Sequence, residues 1–295
     1  MKIKINPARR AFIIFNYIFC IFIGLLCVIP VIHVLAVSFS GIDAVTSNRV
    51  IFWPVDFNVD NYNIVIRDAQ FFQSYGVTFL RSILGWAISM LCVLLASYPM
   101  SLRKSQFPAR PFFVAYFMGT MLFSGGMIPT YLVVKSTGLL NTIWALLLPC
   151  AVGTYNIILM MNFMKELPEA LSESAFIDGA GHFTTMTRII LPLCKPSIAT
   201  ISLFIILQHW NSWFDGMLYI KVQNLKPLQT YLRSIVIVDA NVGDSNVYLE
   251  DLIANATADG SNGAKIFLAL APIMCVYPFL QKHFAKGLVR GSVKE

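Results

Sequence analysis

Residues Glu173 to Pro192 read ESAFIDGAGHFTTMTRIILP, a polar and sharply punctuated passage between two long apolar runs. Pro168 suits the first position of a helix, where no backbone N–H is needed, and Glu169 and Glu173 then fall four residues apart on one face. Carboxylates early in a helix suit its positive end. Two like charges at that spacing nevertheless repel by about 0.2–0.5 kcal/mol unless a cation from elsewhere sits over them, and a partner could supply it. Asp178-Gly179-Ala180-Gly181 breaks the helix, and Gly179 is free to take the left-handed cap conformation. Phe183, Met186 and Ile190 recur at i, i+3 and i+7, the pattern of a second short amphipathic helix. Pro192 and Pro196 punctuate the exit into the next apolar run. A solvated helical hairpin joining two spans is the plain alternative for such a passage.

The surrounding chain belongs in a bilayer. Of its 295 residues 57% are hydrophobic and only 13% charged, and the mean hydropathy is +0.69, far from a soluble globular composition. About 20 apolar residues suffice to cross the hydrocarbon, and six windows are long enough, near residues 12–37, 76–98, 111–134, 143–163, 198–220 and 264–283. Their period is helical or uniformly apolar, which predicts an all-α membrane protein with six transmembrane helices rather than a barrel. The first run is too long for a cleaved signal and is expected to bend at Pro30. Lys2, Lys4, Arg9 and Arg10, then Arg103, Lys104 and Arg110, then Lys282, Lys286, Arg290 and Lys294 all fall on one side. By the positive-inside rule that side is cytoplasmic, together with both termini and the Glu173 loop. The chain divides into a cytoplasmic N-terminal segment (1–10), a first helix with an external loop (11–70), a core of five helices (71–283) carrying the loop 164–196, and a cytoplasmic tail (284–295).

The net charge of +7 therefore reports membrane orientation, and no basic-aromatic array points to nucleic acid. Six cysteines lie in or beside predicted spans without metal-site spacing, and are expected to act as small buried hydrophobes. Asn255-Ala256-Thr257 is a formal glycosylation sequon, read as chance. No G-x-x-x-x-G-K-[ST] loop, zinc helix or G-x-S-x-G elbow occurs, so no catalytic residue is assigned and the energy for any transport must come from elsewhere. Within the spans the polar groups are mainly His33, Arg81, Gln208 and His209, a thin set for an ion-coupled carrier.

The triplet Glu173-Ser174-Ala175, Gly179 after three intervening residues, Ile189 and Leu191-Pro192 resemble the cytoplasmic coupling loop of binding-protein-dependent ABC transporter permeases. Phe123–Pro149 (FSGGMIPTYLVVKSTGLLNTIWALLLP), QHWNSWFDG at Gln208–Gly216 and HFAKGLVRGSVKE at His283–Glu295 resemble the maltose-permease-like carbohydrate branch, in its aldouronate and oligosaccharide subgroup. Ser174 replaces the usual middle alanine of the triplet, and serine is nearly as small. The resemblance implies a type I ABC importer permease fold in the bacterial cell membrane. It implies a second homologous permease subunit, two ATP-binding subunits that hold the ATP and Mg, an extracellular solute-binding protein and a carbohydrate substrate, with no cofactor on this chain. Glu169, Glu173, Ala175, Asp178, Gly179, Ala180, Gly181, Ile189 and Pro192 are then the ATPase-coupling residues. Lys286, Gly287, Gly291 and Lys294 of the tail reach the ATPase interface or serve as a plain basic anchor.

A sugar path needs aromatic platforms beside hydrogen-bonding groups. Trp210, Asn211, Trp213, Phe214 and Gln208 offer both, although an aromatic belt at the outer interface explains them equally. Ser124-Gly125-Gly126 and Pro129 interrupt the third span, and irregular backbone at that depth is tolerated only against protein or water. Tyr131 then faces the pore, or the glycines merely allow close packing. Arg81 either meets an acidic sugar such as a uronate or snorkels to lipid phosphate. The polar segment Lys221–Gly263 suits a platform for a binding protein or a solvated loop. The same fold importing a non-sugar solute and an ion-coupled secondary carrier remain the competing functions.

Overall fold

The computed structural model describes residues 7–241 and 259–275. The tail residues Lys286, Gly287, Gly291 and Lys294, the sequon, and the end of the last predicted span lie outside them. Among the described residues every regular element is helical. In chain order these are α1 (Pro7–Ser38), α2 (Ile42–Thr46), α3 (Asp60–Arg67), α4 (Ala69–Ser101), α5 (Arg110–Leu122), α6 (Met127–Ser136), α7 (Trp144–Leu147), α8 (Thr154–Lys165), α9 (Ala170–Ile177), α10 (His182–Thr185), α11 (Leu191–Leu193), α12 (Lys195–Asn211), α13 (Phe214–Tyr219) and α14 (Leu228–Asn241). A further helix covers 259–275.

Two helices are long and apolar enough to cross a membrane unbroken, Arg9–Ser38 and Ala69–Ser101. Pro30 lies inside the first without ending it. Three further apolar stretches are bent: α5 and α6 at 112°, α7 and α8 at 47°, and the His182–Leu193 stretch and α12 at 84°. The first bend falls at Ser124–Gly126, as the sequence suggests, where Gly126 takes φ +84°, a value that only glycine adopts cheaply. The predicted window 198–220 ends earlier than expected, because α12 stops at Asn211 and Ser212 is extended before α13 begins. Within Lys221–Gly263 the described residues include α14 at Leu228–Asn241, and residues 242–258 lie outside them.

The chain forms two compact units. One comprises the described parts of Met1–Phe71 and Ser234–Ala271. Here Asn61, 3% exposed, donates to the carbonyls of Ser38 and Ser40 (both 3.2 Å), and Lys265 pairs with Asp68 at 2.8 Å. A side chain at Gly260 would collide with Asn61, which holds helix 259–275 close to α3.

The other unit comprises Phe72–Arg233 and the described part of Pro272–Glu295. Its core joins Met90, Val93, Tyr98 and Met100 of α4 to Ile157, Met160, Met161 and Met164 of α8, Ile201 and Ile205 of α12, and Met186 and Ile190. Unbranched methionines fill irregular gaps between helices that bend rather than run parallel. Gly85 allows α4 and α12 to approach closely: a Cβ there would lie 2.6 Å from Cδ2 of the buried His209 ring. Of the cysteines only Cys194 is buried, while Cys20, Cys27 and Cys275 are exposed. The expectation of burial fails for these three because an apolar face of a membrane helix needs no cover from its own chain.

Candidate functional site

The Glu173 passage folds as two short helices about a glycine turn. Gly179 has φ +81°, its N–H bonds to Phe176 O at 3.1 Å, and Ala180 N–H bonds to Ala175 O at 2.9 Å. These are the two bonds of a Schellman cap, which satisfies the last carbonyls of α9. An alanine at that φ is strained by about 1–2 kcal/mol. Gly179→Ala is therefore expected to lower the unfolding midpoint in detergent, and an unchanged midpoint would show that the turn relaxes at no cost.

Gly181, extended at ψ 167°, starts α10, which passes into a π turn over Met186–Ile190. Pro192 explains the wider turn, since its ring clashes with the carbonyl four residues back and it has no N–H to donate. Met186 and Ile190 enter the core, whereas Phe183, expected on the same face, is 71% exposed. Ile177, at the end of α9, is 86% exposed. Two large apolar side chains thus stand out on either side of the Gly179 turn. Ala175 is 6% exposed, so its methyl packs inside the chain rather than offering surface. Asp178 is exposed, and Ala180 and Ile189 are half-buried.

The cation over Glu169 and Glu173 comes from this chain and not from a partner. Arg103, just beyond α4, pairs with Glu169 and through Nη1 with Glu173 Oε1 at 3.0 Å. It answers the like-charge repulsion of α9 with one guanidinium. Tyr98 of α4 also meets His182 Nδ1 of α10 through its hydroxyl at 3.3 Å. The His182 ring lies edge-on to Phe176 of α9, with centroids 5.0 Å apart. Arg110 Nε donates to Met100 O at 2.9 Å, satisfying a carbonyl at the end of α4. A cleft of about 250 Å³ opens here, bounded by Tyr98, Arg103, Arg110, Met164 and Glu173. Both halves of the passage are consequently fastened to the same end of α4.

A second constellation lies nearer the start of α4. Arg81 is 1% exposed and ion-paired with Asp215. Its Nη1 donates to Asp215 Oδ1 and to Ser212 O, both at 3.3 Å. Ser212 Oγ and Gly216 N–H also donate to Asp215 Oδ1, at 2.7 and 2.8 Å. Neither reading of Arg81 from the sequence fits this geometry: the guanidinium is turned inward and its charge already met, because a carboxylate 134 positions away completes it. Asp215 was the missed residue. A lone carboxylate inside an apolar run is a signal that a partner must exist.

The aromatic residues divide. Trp210 is 4% exposed and edge-on to Tyr75, a packing position. Gln208 and Asn211 are exposed, Trp213 is half-buried and Phe214 is exposed. Tyr131 stacks on Tyr219 with centroids 6.3 Å apart. Arg233, which drew no notice in the sequence, lies over the Trp213 ring at 3.5 Å.

No family model matches the chain. It is 40% identical over 294 residues to the polygalacturonan/rhamnogalacturonan transport system permease protein YtcP of Bacillus subtilis, covering 97% of this chain and 99% of that one. The chain is an ABC sugar-importer permease. The permease is also 40% identical over 291 residues to Protein LplC of the same organism, covering 98% of this chain and 97% of the other. Among solved structures it matches a chain of a bacterial ABC transporter involved in import of the acidic polysaccharide alginate. That match has a TM-score of 0.84 and 30% identity, over 96% of the permease and 100% of that chain. The permease is thus a multi-pass membrane transport component, and the Glu173 passage occupies a known kind of scaffold.

Proposed function

We infer that the permease forms, with a homologous second permease subunit, the membrane pathway of an ATP-driven importer of acidic oligosaccharides. Six helices cross the bilayer with both termini in the cytoplasm. The Glu173 passage is the coupling element, seated in a cleft of an ATP-binding subunit that holds the nucleotide and Mg and performs the hydrolysis. A solute-binding protein delivers the sugar from outside. The observation that carries this reading is the turn at Gly179, with Ile177 and Phe183 exposed on either side of it. Large apolar groups at a solvated loop tip mark a surface that another protein covers. Glu173, held beside them by Arg103, supplies charge at the rim.

Closure of the ATP-binding subunits on nucleotide moves the coupling element, and alternating access follows from the displacement of packed helices. The chain's own residues do the transmitting. Met186 and Ile190 root the element in the α4–α8–α12 core, while Arg103 and Tyr98 fix it to α4. The acidic character of the sugar is supported by relatives named for polygalacturonan and alginate. The sugar would pass Tyr131, Gln208, Asn211, Trp213 and Phe214, with Trp210 packed behind them.

The test is purification of the permease from native membranes, followed by identification of its companions and reconstitution into vesicles. ATP-binding subunits should accompany it, and uptake of oligogalacturonate should require ATP and a binding protein. Uptake by the permease alone, driven by an ion gradient, would overturn the reading.

A further inference from the structure

The structure holds a second arginine, over Trp213, the residue next to the Ser212 that Arg81 contacts, and its circumstances are opposite. Arg81 is buried and charge-matched, whereas Arg233 is exposed and, among the described residues, no carboxylate is paired with it. Its guanidinium stacks on the indole of Trp213 at 3.5 Å. We propose that Arg233, stacked on Trp213, is a contact site in the pathway for the carboxylate of a uronate sugar, an inference that rests on the importer reading above.

The platform is built before any ligand arrives. Thr230, one helical turn before Arg233 on the same face of α14, donates to the Trp213 carbonyl at 2.8 Å. Ser212, immediately before Trp213, is held by Arg81 through its carbonyl and bonds to Asp215 through its hydroxyl. Phe214 stands edge-on to the indole, with centroids 5.4 Å apart. Trp213 is thereby fixed from its own backbone and from its neighbour. The start of α14 is fixed as well, since Leu228 N–H donates to the buried Thr78 hydroxyl of α4 at 2.7 Å.

Thr78 is on α4, a helix long and apolar enough to cross a membrane, so the start of α14 is tied to the side of that helix. An arginine beside a membrane-crossing helix is costly to expose to lipid, and such residues face a bundle interior or a watery cavity. A stacked guanidinium keeps its N–H edge free, and this planar fork matches a carboxylate in two parallel bonds. A uronate ring offers that carboxylate beside an apolar C–H face, which is the pairing of groups that Arg233 and the nearby aromatic rings present. Neutral sugars lack the anion and would gain only the aromatic contact.

The full importer, with its second permease, ATP-binding subunits and binding protein, is reconstituted into vesicles. Uptake of trigalacturonate is then measured beside uptake of its fully methyl-esterified form. Both sugars are read in the same vesicles, so any loss of folded protein cancels from the ratio. Arg233→Gln is expected to lower the acid-to-ester uptake ratio about tenfold, in line with the loss of a charge-assisted contact. Arg233→Lys, which keeps the charge but loses the flat stack, should restore part of it. An unchanged ratio in Arg233→Gln overturns the proposal, even if total uptake falls, because it shows that Arg233 serves packing or a neighbouring subunit. Failure of the unsubstituted complex to import trigalacturonate at all would show before any substitution. It would remove the acidic-sugar reading and this inference with it.

Discussion

Arg103→Glu is expected to reduce ATP-driven sugar uptake by more than tenfold while leaving membrane insertion and the unfolding midpoint nearly unchanged. The side chains of Arg103, Glu169 and Glu173 are each about half-exposed, and exposed ion pairs contribute only about 0–1 kcal/mol to stability. The large effect lies in coupling. Reversal puts three carboxylates where one guanidinium now joins two, which pushes α9 away from the end of α4. The core would remain, but the motion of the coupling element would no longer reach α4 through its first half. Adding Glu169→Arg to Arg103→Glu restores one opposite-charge pair without touching Glu173, and uptake should recover several-fold. The readout is the number of sugars imported per ATP hydrolysed. A variant that keeps this ratio, or a pair of changes that shows no recovery, would rule out Arg103 as the tether.

The second large effect concerns the buried pair. Removing one partner of such a pair leaves an uncompensated charge and costs about 3–5 kcal/mol. Arg81→Ala is expected to show that loss in thermal unfolding of the detergent-solubilised permease. Arg81→Met with Asp215→Leu, which removes both charges at similar volume, should recover most of it. With Arg233 already replaced by Gln, adding Arg81→Gln should lower uptake of acidic and neutral sugars equally, because Arg81 is turned toward Asp215 and not toward a solute. A single-site cost below about 1 kcal/mol would mean that water reaches Asp215 and that the pair is not a structural bolt. Selective loss of uronate uptake would return Arg81 to the pathway.

These two pairs mark the limit of what the sequence discloses. Long apolar runs are legible because the bilayer demands them, and the Gly179 turn because only glycine enters that backbone region easily. The break at Ser124–Gly126 was readable for the same reason. The ion pairs were not. Arg103 and Glu173 are 70 positions apart and Arg81 and Asp215 are 134 apart, and no local periodicity links residues that meet only when separate helices pack. Asp215 was the nearest to being found, as an acid inside an apolar run. Phe183 shows the opposite limit. Its spacing from Met186 and Ile190 predicted one common face, but the π turn over Met186–Ile190 takes more residues per turn than an α-helix and rotates the register between Phe183 and Ile190. The break after Asn211 was hidden too, since Ser212 and Trp213 are no stronger helix-breakers than their neighbours.

The bend between α5 and α6 reaches furthest. At about 1.5 Å per residue, the 13 residues of α5 extend roughly 20 Å, while the hydrocarbon is about 30 Å thick. The rod stops short, and the chain turns through 112° instead of continuing outward. Lipid tails cannot line the remaining thickness beside bare peptide groups, so protein or water must stand there. A hydrated vestibule reaching down toward Ser124 would shorten the dry part of a polar solute's journey before any helix has moved.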